Sequence, residues 1–155
     1  MLALAGVVTM RKINKIIIHC AATTPEMDVG VKEIRQWHLA RGFNDIGYHF
    51  VIRRNGEVEI GRKLEVVGAH AQGHNATSIG ISLVGGCRRE NGKLYTEDNF
   101  TPAQKATLES LVKKLQAQFP AVTICGHRDL DKGKDCPSFS VKDFFLSRGF
   151  AREWV

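Results

Sequence analysis

At 155 residues, 43% hydrophobic and 25% charged, the chain has the size and composition of one globular domain, able to bury roughly 68–70% of its unfolded surface without staples. No stretch reaches the ~18 apolar residues that cross a bilayer, which excludes a membrane-spanning helix. The net charge of +6 favours anionic partners such as nucleic acid, phospholipid or an acidic wall polymer, yet Lys and Arg are scattered, and the absence of a basic helix or aromatic-studded basic strand argues against specific nucleic-acid binding.

Met1–Lys12 is mildly apolar and lacks the positive start of a signal peptide, so it reads as a flexible leader before a single domain over residues 13–150. Lys15–Cys20 is β-branched with little alternation, the pattern of a strand buried on both faces, and Ala21–Pro25 breaks it. Within Val31–Arg41, Ile34, Trp37 and His38 recur at helical spacing, which predicts a helix with all three on its apolar stripe and Gly42 just past its end. Tyr48–Arg53 and Glu57–Ile60 flank Asn55-Gly56 and form an antiparallel hairpin. Gly61–Thr77 has no sustained period and reads as a long surface loop, the kind of segment that tends to carry function.

Ser78–Val84 is a central strand stopped by Gly85-Gly86, followed by a polar excursion. Thr101, Pro102 and Gln104 supply an N-cap, a proline at the first helical position and the far member of a capping box. The helix they open sets Leu108, Leu111, Val112, Leu115 and Phe119 on one face. Val122–Cys125 is a last short strand, Gly126–Pro137 a loop, and Ser140–Arg148 a final helix capped by Ser140. The fold class is therefore α/β, a mixed central β-sheet flanked by about three helices.

Cys20, Cys87, Cys125 and Cys136 lack the regular spacing of a stapled secreted scaffold and read as reduced thiols. His19 and His127, each at or just past the carboxyl end of a strand, can meet above neighbouring strands, and Cys136 follows on a loop able to curl back. Two imidazoles and a thiolate form a three-ligand zinc set with one position left open, which is the catalytic pattern. Spacing alone carries this weakly, since the ligands form no compact cluster and, on spacing, each histidine reads as a core or surface residue sooner than as a ligand. Zinc acidifies water and polarises a carbonyl, the chemistry of amide hydrolysis. Tyr48 could hydrogen-bond that water or the developing oxyanion, and Lys134 could set an ammonium beside a tetrahedral intermediate. One such oxyanion donor is worth about 10²–10³ in rate. The alternatives are a core aromatic for Tyr48 and a solvated loop cation for Lys134.

An ordered series of segments runs from Ile18-His19-Cys20-Ala21-Ala22-Thr23 through Val29–His38, Gly47-Tyr48-His49-Phe50, Gly68-Ala69-His70-Ala71, Asn75 with Ser78–Ile81, Leu83–Gly86 and Asn99–Gln104 to Lys134-Asp135-Cys136-Pro137-Ser138-Phe139. Together these resemble the type 2 zinc-dependent N-acetylmuramoyl-L-alanine amidases, which share their fold with peptidoglycan recognition proteins. The resemblance covers about residues 13–146 and is nearest to phage members. It implies cleavage of the amide between the lactyl group of N-acetylmuramic acid and the L-alanine of the stem peptide in peptidoglycan. It implies one Zn2+ per chain on His19, His127 and Cys136, assistance from Tyr48 and Lys134, and sugar or peptide contacts from His38, His70 and Asn75.

Two departures stand out. The loop from His127 to Cys136 is one residue longer than in phage relatives, so Lys134 is placed by counting back from Cys136. Val84 stands where some bacterial relatives carry a glutamate base, which leaves water activation to zinc and Tyr48. His49, next to Tyr48, should face the opposite side of the sheet and lie outside the site. The resemblance further implies a monomeric phage or prophage endolysin, held in the cytoplasm until a holin lesion or lysis releases it. An RNA polymerase is a second possible partner, because a phage member of the family binds and inhibits one. A non-catalytic muropeptide-binding module is the alternative, but such relatives typically lose the thiol ligand that Cys136 supplies.

Overall fold

The apolar run Lys15–Cys20 becomes strand β1, buried on both faces from Ile16 onward. It lies parallel between β4 (Ser78–Leu83) and β7 (Thr123–Gly126). On the far side of β4, β2 (Phe50–Ile52) also runs parallel, and it pairs antiparallel with β3 (Val58–Ile60). The order β3-β2-β4-β1-β7 is the mixed central sheet expected from the sequence. The computed structural model describes residues 10–155, so residues 1–9 of the expected leader lie outside the described residues. Arg11, just before the expected domain start, donates to the carbonyls of Leu64, Asn75 and Ala76.

Helices on both faces explain why β1 from Ile16 onward and all of β4 are buried, so that even the residues alternating with Ile79, Ile81 and Leu83 in β4 are small ones, Ser78, Gly80 and Ser82, rather than charged. Ile16, Ile18, Ile81 and Leu83 pack with Leu108 and Val112 of α2 (Pro102–Gln118) and Phe145 of α4 (Val141–Ser147). The other face holds a smaller cluster of Ile34, Ile46, Val51 and Val84 under α1 (Val31–Ala40). Because strand side chains alternate, His19 points to the α1 side while Ile18 and Cys20 point to the α2 side.

Capping follows the sequence closely. Thr101 Oγ1 accepts from the Gln104 N–H at 3.0 Å while Gln104 Oε1 accepts from the Thr101 N–H at 2.9 Å. Ser140 Oγ accepts from the Asp143 N–H at the start of α4. At α1, Glu59 of β3 accepts from the Val31 N–H at 2.8 Å, a carboxylate set where the helix dipole favours negative charge.

Three expectations need correction. Trp37 is 39% exposed; the buried stripe of α1 is Val31, Ile34 and His38, and at 100° per residue Trp37 stands about 90° round the helix from its centre. The polar excursion after Gly86 is a second hairpin, β5 (Cys87–Glu90) with β6 (Lys93–Thr96), turned at Asn91 and Gly92, both at positive φ. Its strands are mostly exposed and carry no apolar alternation to announce them. Finally, the segment after β7 opens with a helical turn, α3 (His127–Leu130), braced by Asp129 Oδ2 accepting from the Gly126 N–H at 2.7 Å. All four cysteines are free, and no helix among the described residues is long and apolar enough to cross a membrane.

Candidate active site and metal centre

The parallel register of β1 and β7 sets Ile18 opposite Gly126, so the next residues, His19 and His127, leave the sheet side by side with ring centroids 4.7 Å apart. This is the carboxyl end of parallel strands, where open α/β sheets place their ligands. The loop beyond α3 curls back because the Arg128 N–H donates to the Cys136 carbonyl at 2.8 Å and Ser138 Oγ donates to the Gly86 carbonyl at 3.0 Å. Cys136 Sγ then accepts from the Cys20 N–H at 3.1 Å. The result is that the ligand atoms of His19, His127 and Cys136 all lie within 4.8 Å of one another, a set that could hold a metal ion.

The protonation chemistry suits such an ion, which binds neutral imidazole and thiolate. Burial, reinforced by His70 and His127, pushes the His19 imidazole well below its usual range, and burial with Lys134 nearby lowers His127. Both rings are therefore neutral at pH 7. The hydrogen bond shared with the Cys20 thiol, and then burial, push the Cys136 thiol up; a bound divalent cation reverses that order, since a coordinating thiol loses its proton outright. Two nitrogens and one sulfur are donors that zinc accepts.

Around this cluster opens a cavity of about 620 Å³, and all eight residues singled out from the sequence line it. Tyr48 reaches it from just ahead of β2, its ring 5.1 Å from that of His19 and 5.4 Å from that of His38. Burial raises the Tyr48 phenol above its usual range, so it stays protonated. Lys134 sits exposed on the loop, its N–H donating to the Asp131 carbonyl. His38 Nδ1 accepts from the Gly47 N–H at 2.8 Å, which places the ring proton on Nε2.

The other two residues are occupied locally. Asn75 Oδ1 accepts from the N–H groups of both His70 and Ala71 at 2.9 Å. His70 Nδ1 lies 2.8 Å from His19 Nε2. His49 is not on the cavity wall, but its ring sits 5.8 Å from that of His70, with Nδ1 accepting from the Gly80 N–H and Nε2 donating to the Val66 carbonyl.

Sequence reasoning missed three ionisable wall residues: Cys20, Arg41 and Asp131. Cys20 could have been suspected from its place beside His19 at the end of a strand. Arg41 and Asp131 become visible only once the ends of α1 and α3 are placed at the cavity. Ala22 and Ser138, which flank the thiols, adopt positive φ, a backbone conformation that costs a non-glycine residue about 1–3 kcal/mol and clusters at functional sites.

A family model described as N-acetylmuramoyl-L-alanine amidase matches residues 9–139. The endolysin of Klebsiella phage KP32 is 49% identical over 129 residues, 83% of each chain. Among solved structures, the N-acetylmuramoyl-L-alanine amidase LysC from Clostridium intestinale URNW aligns with a TM-score of 0.77 at 27% identity, covering 91% of this chain and 88% of its own. Drosophila PGRP-LB aligns with a TM-score of 0.70 at 25% identity, covering 92% and 84%. Sequence and fold thus agree with the chemistry gathered at the strand ends: the chain belongs to the N-acetylmuramoyl-L-alanine amidase family and is a peptidoglycan amidase.

Proposed function

We propose that this amidase works with one zinc ion held by His19, His127 and Cys136, with Tyr48 and Lys134 acting on the scissile amide, in a domain spanning residues 13–150. The observation that carries the reading is the mutual approach, within 4.8 Å, of two neutral imidazoles and a thiol lining a cavity of about 620 Å³. Three protein donors are the count of a catalytic zinc rather than a structural one. When bound, zinc supplies Lewis acidity, which polarises an amide carbonyl and acidifies water.

The chain's own residues supply the rest. Tyr48, kept protonated by burial, is a hydrogen-bond donor rather than a base, suited to an amide oxygen as it gains negative charge. Lys134 faces the same space and adds positive charge there. His19 and His127, held neutral, neither repel a cation nor release protons at pH 7. His38 offers its Nε2–H to a sugar or peptide carbonyl, whereas His70 and Asn75 shape the wall through the bonds they already make. Val84 belongs to the core under α1 and takes no part in the chemistry.

The likeness to a phage endolysin supports a role in wall lysis, with the protein held in the cytoplasm until a membrane lesion or lysis admits it to peptidoglycan. Purified protein given peptidoglycan should release stem peptides that begin with a free L-alanine amine. Verified removal of zinc should stop this release, and added zinc should restore it. Undiminished turnover without metal would refute the mechanism, and a wild type that binds muropeptide without cutting it would make the chain a binding module.

A further inference from the structure

Several elements converge on His70. Its backbone N–H and that of Ala71 are pinned by Asn75 Oδ1, and its ring lies against β4 where residue 80 has no side chain. A Cβ on Gly80 would stand 2.6 Å from the ring's Cγ, and one on Gly68 2.7 Å from its Cδ2. The imidazole so held meets His19 almost perpendicularly, at 87°, with Nδ1 2.8 Å from His19 Nε2. Its own Nε2 lies 3.3 Å from Ser78 Oγ.

We infer that His70 is a positioning residue that fixes the tautomer and ring orientation of His19. The His19 Nε2–H donates to His70 Nδ1, the His70 Nε2–H is directed at Ser78 Oγ, and His19 Nδ1 is left as the nitrogen for a metal ion. This rests on the reading of His19 as a zinc ligand. A neutral imidazole carries one proton on either nitrogen, and a hydrogen-bond partner on one of them decides which lone pair is free. With its Nε2 turned to Ser78 Oγ, the His70 ring presents Nδ1 to His19 as the acceptor. His70 therefore acts through His19 rather than by touching substrate.

Two variants and one spectrum test this. His70→Phe fills the space beside Gly80 but removes the acceptor, while His70→Asn retains an acceptor oxygen near the place of Nδ1. Zinc affinity, measured by competition with a chromophoric chelator, should fall about 10–100-fold in His70→Phe and return to within a few-fold of wild type in His70→Asn. Equal affinity in wild type and a folded His70→Phe would overturn the inference. Ring-nitrogen NMR of the zinc-loaded wild type reads the same point without substitution and decides alone if His70→Phe does not fold. A proton on His19 Nε2 is expected, and a proton on Nδ1 would overturn the inference. A wild type that binds no zinc at all would instead sink the functional reading beneath it.

Discussion

The floor of the cavity belongs to the sheet and its rim to a loop, and the two are held by different means. His19 is 1% exposed on a strand paired along both edges, so folding itself sets its place. Lys134 sits on a segment exposed from Asp131 to Asp135, with the half-buried Cys136 just beyond it, and this stretch is shaped by single hydrogen bonds such as Arg128 N–H to the Cys136 carbonyl. Exposed loops of this kind open at low free-energy cost. The difference teaches that folding alone fixes the sheet's half of the site, and on the proposed zinc reading the loop's half should gain order from a bound ion.

Metal removal should separate the halves most sharply. Chelation, or Cys136→Ser, should take hydrolysis to background while hydrogen exchange quickens over residues 127–138 and stays slow in β1 and β4; uniform quickening would break the distinction. Tyr48→Phe comes next, with kcat falling about 10²–10³-fold, equivalent to about 2.7–4 kcal/mol, and the melting temperature little changed. A drop in stability that accounted for the lost rate would recast Tyr48 as a packing residue. On the floor, Gly80→Ala drives a methyl group to within 2.6 Å of the His70 ring from a strand that cannot shift. Thermal melts should show about 1–3 kcal/mol of overpacking, together with weakened zinc binding, a joint loss that rim variants should not produce.

Protons probe the same contrast more gently. Burial pushes the pKa of His49 to about 4 and that of His70 to about 3, whereas an unfolded histidine titrates near ~6.5. Between about pH 4 and 6.5 the unfolded chain binds protons that the folded chain refuses, so stability rises with pH across that window. Melting temperatures should fall as pH drops from 7.5 to 4.5, less steeply in His49→Gln, and a flat profile would count against a buried, neutral floor.

Legibility follows the same division. Local chemistry announces its elements: the β-branched run of β1, the Thr101–Gln104 capping box and the Asn55-Gly56 turn each matched what formed. Asn91-Gly92 carries an equal turn signal, but the strands beside it are polar and mostly exposed and so do not announce a hairpin. Trp37 shows the limit of spacing, which finds the stripe of a helix but not the angle at which it meets the sheet. Residue chemistry raised His19, His127, Cys136, Tyr48 and Lys134 only weakly, and family resemblance gave them weight and added His38, His70 and Asn75, since nothing local says that β1 and β7 are neighbours, and it is this pairing that joins His19 to His127. The bond from His70 to His19 depends on the same long-range register and on the space left by Gly80.

The most direct test is to titrate zinc into verified metal-free protein while following peptidoglycan cleavage. Activity should rise in proportion to zinc and break sharply at one equivalent per chain, with neither the plateau nor tight binding surviving in Cys136→Ser. Full turnover at zero zinc, or a break that persists without the Cys136 thiol, would contradict the central claim that these three side chains and one ion make the catalytic centre.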